Sequence, residues 1–183
     1  VKLKRRNKVD VAAEAKELKR TSAFGVEHGA IAAVNGTFFN MKNGGSADYL
    51  RIDGAMLNEN RLPKNKVRPR HQKAAVVIDG KHVRIEQWDG SEDWEQRLPG
   101  EDVMVTGPLL LKDFHLTPLD SAKFSTARHP RTAVAIKGNK VLFITVDGRH
   151  EKAAAGWRAA RATAQPSNRI HAVDRLVRRV VVP

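Results

Sequence analysis

Three pairs of short, β-rich runs in this chain are each joined at two residues that include a glycine, and that recurrence limits the fold more than any other feature. Residues 49–52 (YLRI) lead into Asp53-Gly54, residues 74–78 (AAVVI) into Asp79-Gly80, and residues 132–136 (TAVAI) into Gly138-Asn139 ahead of 141–146 (VLFITV). Two-residue turns of this composition supply the positive φ angles that match the right-handed twist of paired strands. Residues 102–106 and 109–111 add two strand candidates, broken at Gly107-Pro108 because proline donates no ladder hydrogen bond. The expected fold class is α+β, with a mixed, largely antiparallel sheet of seven or more strands and a few flanking helices.

Outside the hairpins, the apolar residues Val11, Ala15 and Leu18 fall on one stripe between charged positions and predict an amphipathic helix over 11–18. A second short helix is expected to start at Thr21 or Ser22 and to end at Gly29. Residues 30–34 then read as a buried strand leading into a loop that runs to about Ser46. The chain, 183 residues long, is read as one domain. Residues 1–20 form a basic N-terminal segment, 21–156 the body, and 157–183 an Arg- and Ala-rich tail. That tail contains one leucine, Leu176, and no phenylalanine; it continues no strand alternation and is expected to pack poorly.

Charge narrows the partner. The chain carries 33 Lys and Arg against 20 Asp and Glu, a net charge of +13. Residues 1–20 hold 8 basic and 3 acidic side chains, and residues 156–183 hold 6 Arg and 1 Asp, so the excess sits at the two ends. A nucleic-acid footprint interleaves basic and stacking residues over a folded face, whereas Trp88 and Trp94 here stand among Asp89, Glu92, Asp93 and Glu95. Nucleic acid is therefore disfavoured as a partner. No apolar stretch reaches the ~18 residues of a membrane span. There are no cysteines, which excludes disulfides and thiolate chemistry. The histidines show no HExxH-like spacing, and no P-loop, GxSxG or GxGxxG occurs, so neither a metal nor a cofactor is expected.

The candidate functional residues lie where apolar runs end. Asn35-Gly36 closes residues 30–34; glycine there permits close backbone approach to a ligand, and Asn35 can donate and accept. Thr106-Gly107 closes residues 102–105. Arg128, His129 and Arg131 precede 132–136, and an arginine fork suits a phosphate or a carboxylate. Asp147 and Arg149 follow VLFITV, and Asp53 follows LRI. Each carboxylate is either a turn residue beside glycine or one of the pair that glycoside hydrolysis uses.

Taken in order, AAVNGTFFNMKNGGS at 32–46, YLRIDG at 49–54, VMVTGPLLL at 103–111, RHPRTAVAI at 128–136 and VLFITVDGRHEKAAAG at 141–156 resemble the phosphodiester glycosidase family, that of the uncovering-enzyme domain and its bacterial relatives. The resemblance implies cleavage of the bond between a sugar's anomeric carbon and a phosphodiester oxygen, releasing the sugar and leaving a phosphomonoester. Under that reading Asp147 or Asp53 would attack or stabilise the oxocarbenium-like centre, and Arg131 and Arg149 would clamp the anion. Asn35, Gly36, Thr106 and Gly107 would line the pocket. The implied partner is a sugar-phosphodiester small molecule or glycan, in an exported, periplasmic or extracellular setting. Past Gly156 the sequence departs from the family pattern, which continues to an N-L-D-G-G-G-S/T loop. A site without that wall predicts impaired turnover, and the break in composition predicts a tail replaced or read in a shifted frame. Unpaired strand edges would favour self-association. Two other functions follow from the same residues: a non-catalytic sugar-phosphate or carbohydrate binder and, third in rank, a basic nucleic-acid or polyanion binder.

Overall fold

The computed structural model describes residues 8–60, 62–63, 67–119, 127, 129–146 and, as backbone, 179–182. Its centre is a five-stranded antiparallel sheet in the order β6-β5-β9-β7-β8, built from β5 (Leu50–Ile52), β6 (Ala55–Asn58), β7 (Ala74–Asp79), β8 (His82–Gln87) and β9 (Asp102–Val105). The turns at Asp53-Gly54 and Gly80 close the β5-β6 and β7-β8 hairpins, as the composition of those turns predicts. A third hairpin, β12 (Arg131–Lys137) and β13 (Lys140–Val146), pairs in register from Arg131↔Val146 to Lys137↔Lys140. The fold is thus mainly β and largely antiparallel, with few helices.

Alternation along β7 and β9 divides the core in two. Leu50, Val76, Ile78 and Met104 face Val9, Val11 and Val141, so one face is covered by the N-terminal strand β1 (Lys8–Val11) and the β12-β13 hairpin. Tyr49, Ala75, Val77, Val103 and Val105 face Trp94 and Leu98, so the other is covered by the one-turn helix α2 (Trp94–Arg97) and its flanks. Both faces of β7 are therefore filled, which explains why its run of Ala, Val and Ile lacks polar alternation. Each fully buried Val or Ile there contributes about 1.5–3 kcal/mol relative to exposure. The acidic stretch near Trp94 is largely paired within the protein. Asp89 accepts from the side chain and backbone of Ser91 and pairs with Arg97, which brings its pKa down to about 2.

Two local expectations are corrected. Residues 12–20 form no helix: Val9 and Val11 are buried at strand spacing in β1, while Leu18, the last member of the apparent stripe, is 55% exposed. A helical stripe with nothing to pack against lacks the tertiary burial that stabilises short helices. The end of the tail, β14 (Arg179–Val182), lies hydrogen-bonded in parallel between β1 and β2 (Ala32–Ala33), in the order β1-β14-β2. The short helix α1 (Thr21–Glu27) matches its expected place and buries Phe24, although Arg20 occupies the cap position and Thr21 the first turn. β10 (Leu111–Lys112) with β11 (His115–Leu116), and β3 (Phe39–Asn40) with β4 (Gly44–Ser46), complete the strands. No helix among the described residues is long and apolar enough to cross a membrane.

Candidate functional site

The exit of β9 is where distant segments meet. Beyond Val105 the backbone N–H of Thr106 still pairs with the carbonyl of Ala74 at 3.0 Å, so Thr106 is held at the last rung of the central strands. Its hydroxyl donates to the carbonyl of Gly36 at 2.9 Å, across 70 residues of chain. Next to it, the backbone of Gly107 lies flat against the 3-10 turn Arg70–Gln72: a β-carbon at 107 would stand 3.1 Å from the carbonyl oxygen of Arg70 and 3.2 Å from that of His71. A side chain at 107 would press on that turn by a few tenths of an ångström, so glycine suits this approach.

Two further loops enter from the β3-β4 side. The Ser46 hydroxyl donates to the carbonyl of Asp48 at 2.8 Å and lies 3.3 Å from the Thr37 hydroxyl, which ties the strand β4 to the segment after Gly36. Asp48 is fully buried. Its Oδ1 accepts from Gln72 Nε2 at 2.6 Å and lies 3.3 Å from His71 Nε2, while its Oδ2 has no hydrogen-bond partner among the described residues. The ring of His71 packs on that of Phe38 with centroids 4.9 Å apart and is about one-third exposed. The junction thus joins a buried carboxylate, a partly open imidazole, three hydroxyls and close backbone.

Cavities flank it on both sides of Asn35. One, of about 600 Å³, lies between the sheet and the β12-β13 hairpin and takes Asn35, Gly36, Thr106, Gly107 and Thr132 into its lining. The second, of about 460 Å³, opens beside α1 and the loop after β1, with Asn35, Thr37 and Ser46 in its wall. The Asn35 side chain itself is turned toward α1, where its Oδ1 accepts from the Thr21 hydroxyl.

Of the residues expected in the site, Asn35, Gly36, Thr106 and Gly107 come together. Arg131 opens β12, next to the cavity-lining Thr132; its guanidinium is buried, donates from Nη2 to the carbonyl of Ala127 at 3.3 Å, and has its pKa lowered by that burial. Asp53 stands elsewhere. It is exposed at the β5-β6 turn, and its backbone N–H donates to Oδ1 of Asp102, the first residue of β9, at 2.9 Å. Thr106 follows the last residue of that strand, so the two are separated by four residues of extended chain, about 13 Å. Its positive φ of 49° beside Gly54 is that of a turn residue. Asp147 and Arg149 lie outside the described residues; the backbone leads toward them from Val146, which pairs with Arg131.

Sequence reasoning passed over Asp48 and His71. They are far apart in the chain, one in a loop and the other in a run of basic residues, and nothing in their spacing links them. The only visible signal was that both adjoin segments already singled out, NGGS at 43–46 and the strand that begins at Ala74.

A family model described as phosphodiester glycosidase matches residues 28–173, which takes in every segment that builds this junction and extends past Gly156. No curated protein and no solved structure matches the chain.

Proposed function

The chain belongs to the phosphodiester glycosidase family, and from that premise we propose that it hydrolyses a sugar 1-phosphodiester, breaking the bond from the anomeric carbon to the phosphodiester oxygen. One observation carries the reading: the NGTFF segment and the Thr106-Gly107 segment, distant in sequence, are joined by the Thr106-to-Gly36 hydrogen bond and open on one cavity of about 600 Å³. A cavity of that size accommodates a sugar with its phosphate. A phosphodiester is a good leaving group, so such a site needs anion contacts and activation of water more than a strong acid. Arg131, at the head of the hairpin that forms one wall, supports the first requirement. Asp147 and Arg149 remain part of the proposal on the strength of the sequence alone.

Phosphorus NMR tests it directly, by following the conversion of a sugar 1-phosphodiester signal into that of a phosphomonoester. Turnover by the wild-type chain and its loss in Asp147→Asn are expected. Saturable binding of the diester without any conversion would overturn hydrolysis and leave a sugar-phosphate binder.

A further inference from the structure

Resting on that reading, we infer that Lys112 binds the phosphate of the diester, and that Gln87 holds its ammonium group over the cavity. Three residues form one row across the exit end of the central sheet. Gln87 on β8 is in register with Ala74 on β7, and the carbonyl of Ala74 accepts from the N–H of Thr106 just past β9. Each lies two residues from a member of the neighbouring rung, Ile85, Val76 and Met104, of which Val76 and Met104 pack toward the β12-β13 hairpin. With a side-chain period of two, Gln87, Ala74 and Thr106 therefore point to that same face, and all three line the cavity of about 600 Å³. The alanine between them keeps the floor of the row low. Its ends stand about two strand spacings apart, roughly 10 Å. One end carries the Thr106 hydroxyl bound to Gly36, the other the Gln87 amide.

At the Gln87 end, Nζ of Lys112 donates to Oε1 of Gln87 at 2.7 Å, and Lys112 lines the same cavity. The backbone fixes where the lysine starts. Lys112 pairs with His115 across the two-residue turn Asp113-Phe114, whose φ angles of 48° and 64° are those of a tight hairpin. Thr117 closes the base of this arm, its hydroxyl and N–H bonded to the carbonyls of Leu109 and Leu110. Arg84, the other cation in the lining, is already occupied: it donates to the carbonyl of Pro99 at 2.6 Å and faces Glu86 at 3.4 Å. Lys112 forms no ion pair among the described residues, and its partner Gln87 is neutral. An ammonium has three donors, so one amide orients it and leaves two for anionic oxygens, with its charge uncompensated.

The reaction rewards a cation at this point. As the bond from the anomeric carbon breaks, its electron pair passes to the phosphate, which takes on a second negative charge. Water delivers its hydroxyl to the anomeric carbon and releases a proton to solvent. A fixed ammonium beside the phosphate therefore interacts more strongly with the transition state than with the substrate, and Lys112 acts on turnover as well as on affinity.

The test uses the full chain, with inorganic phosphate, glucose 1-phosphate and glucose as binding probes and the sugar 1-phosphodiester for turnover. Lys112→Met keeps an unbranched apolar stem and removes the charge. It is expected to weaken both phosphates by about tenfold or more in titration calorimetry, with glucose affinity and Tm unchanged. Its kcat/KM for the diester should fall by about 10–100-fold, part of it in kcat. Lys112→Arg should keep most of both, and Gln87→Ala should lose part of each. Phosphate affinity and kcat/KM both equal to wild type in Lys112→Met would overturn the inference and leave the proposed hydrolysis standing. Equal weakening of glucose and glucose 1-phosphate would also overturn it, since shape rather than charge would be at issue. Absence of turnover in the wild type is the failure of hydrolysis itself. The titrations then decide the inference alone: phosphates bound equally by wild type and Lys112→Met, or by neither, would overturn it.

Discussion

Nη2 of Arg68 approaches Oε2 of Glu95 to 2.9 Å and donates a hydrogen bond to Oε1 at 3.2 Å, with both side chains almost wholly withdrawn from solvent. Arg68 also donates to the carbonyl oxygens of Gln72 and Glu92 and lies over the Trp88 ring, and Asn60 donates to Glu95. The pair fastens α2 to the residues just before β7, behind the turn that carries His71. Removing one partner of a buried pair strands the other charge, so Glu95→Ala is expected to destabilise the protein by about 3–5 kcal/mol. Urea unfolding of the two proteins checks it. A loss below about 1 kcal/mol would mean that the pair is effectively hydrated.

Asp102 predicts a pH dependence of opposite sense to the usual acid denaturation. Burial raises its pKa, the backbone N–H of Asp53 works against that, and the charges of Asp10 and Asp53 add to the rise. The folded chain therefore holds the proton over a pH range in which the unfolded chain has released it. Stability from this residue is greatest in acid and declines as pH rises from about 3.8 through the raised folded value. Asp102→Asn keeps an acceptor for the Asp53 N–H and removes the buried charge. Its Tm should exceed that of the wild type at pH 7, and the gap should close as the pH is brought toward 4. A gap that persists unchanged in acid would contradict the assignment.

The hairpins were legible because their turns are local: Asp53-Gly54, Gly80 and Gly138-Asn139 each fix a register within a few residues. The convergence of Asn35, Gly36, Thr106 and Gly107 was legible at one remove, through a motif order that resembles a family. What stayed hidden depends on partners remote in sequence. The stripe at Val11, Ala15 and Leu18 has helical spacing, yet burial runs unbroken from Val9 through Ala12, in and just after a strand, and leaves Leu18 exposed. The Asp53 carboxylate has the same neighbours in sequence as a site residue, Leu-Arg-Ile before and glycine after, and only the pairing of β5 with β9 shows at which end of the sheet it lies. The Asp48 and His71 pair exists because Gly107 lets the 3-10 turn settle on the exit of β9, a contact that no spacing encodes.

Gly44 is the glycine whose replacement should be most damaging. Its φ is +70°, and a β-carbon there would stand 2.0 Å from the backbone oxygen of Glu17 and 2.3 Å from the carbon of that carbonyl. Neither can yield as a side-chain end would, so Gly44→Ala is expected to cost about 3 kcal/mol or more, through strain added to the left-handed backbone. Gly80 has a similar φ of +55° with nothing within 4 Å of the same position, and Gly80→Ala should cost only about 1 kcal/mol. Thermal unfolding of the two variants side by side measures the difference. Equal losses would show that the loop after β1 moves aside for the methyl group.

The Thr106 hydroxyl is the direct link between the two walls of the cavity, and Thr106→Val removes it while preserving shape. Loss of the bond to the Gly36 carbonyl, which is partly buried, should lower stability by about 0.5–1.5 kcal/mol. If the bond also holds Asn35-Gly36 at the distance the sugar ester requires, the specificity constant for the diester should fall by up to about tenfold beyond what the change in folded fraction explains. Thr106→Ser retains the donor and should restore both. Parallel unfolding curves and diester turnover for the two variants separate the outcomes: a valine variant that is less stable but equally active confines the hydrogen bond to folding, and one that loses activity with the serine variant intact places it in the site.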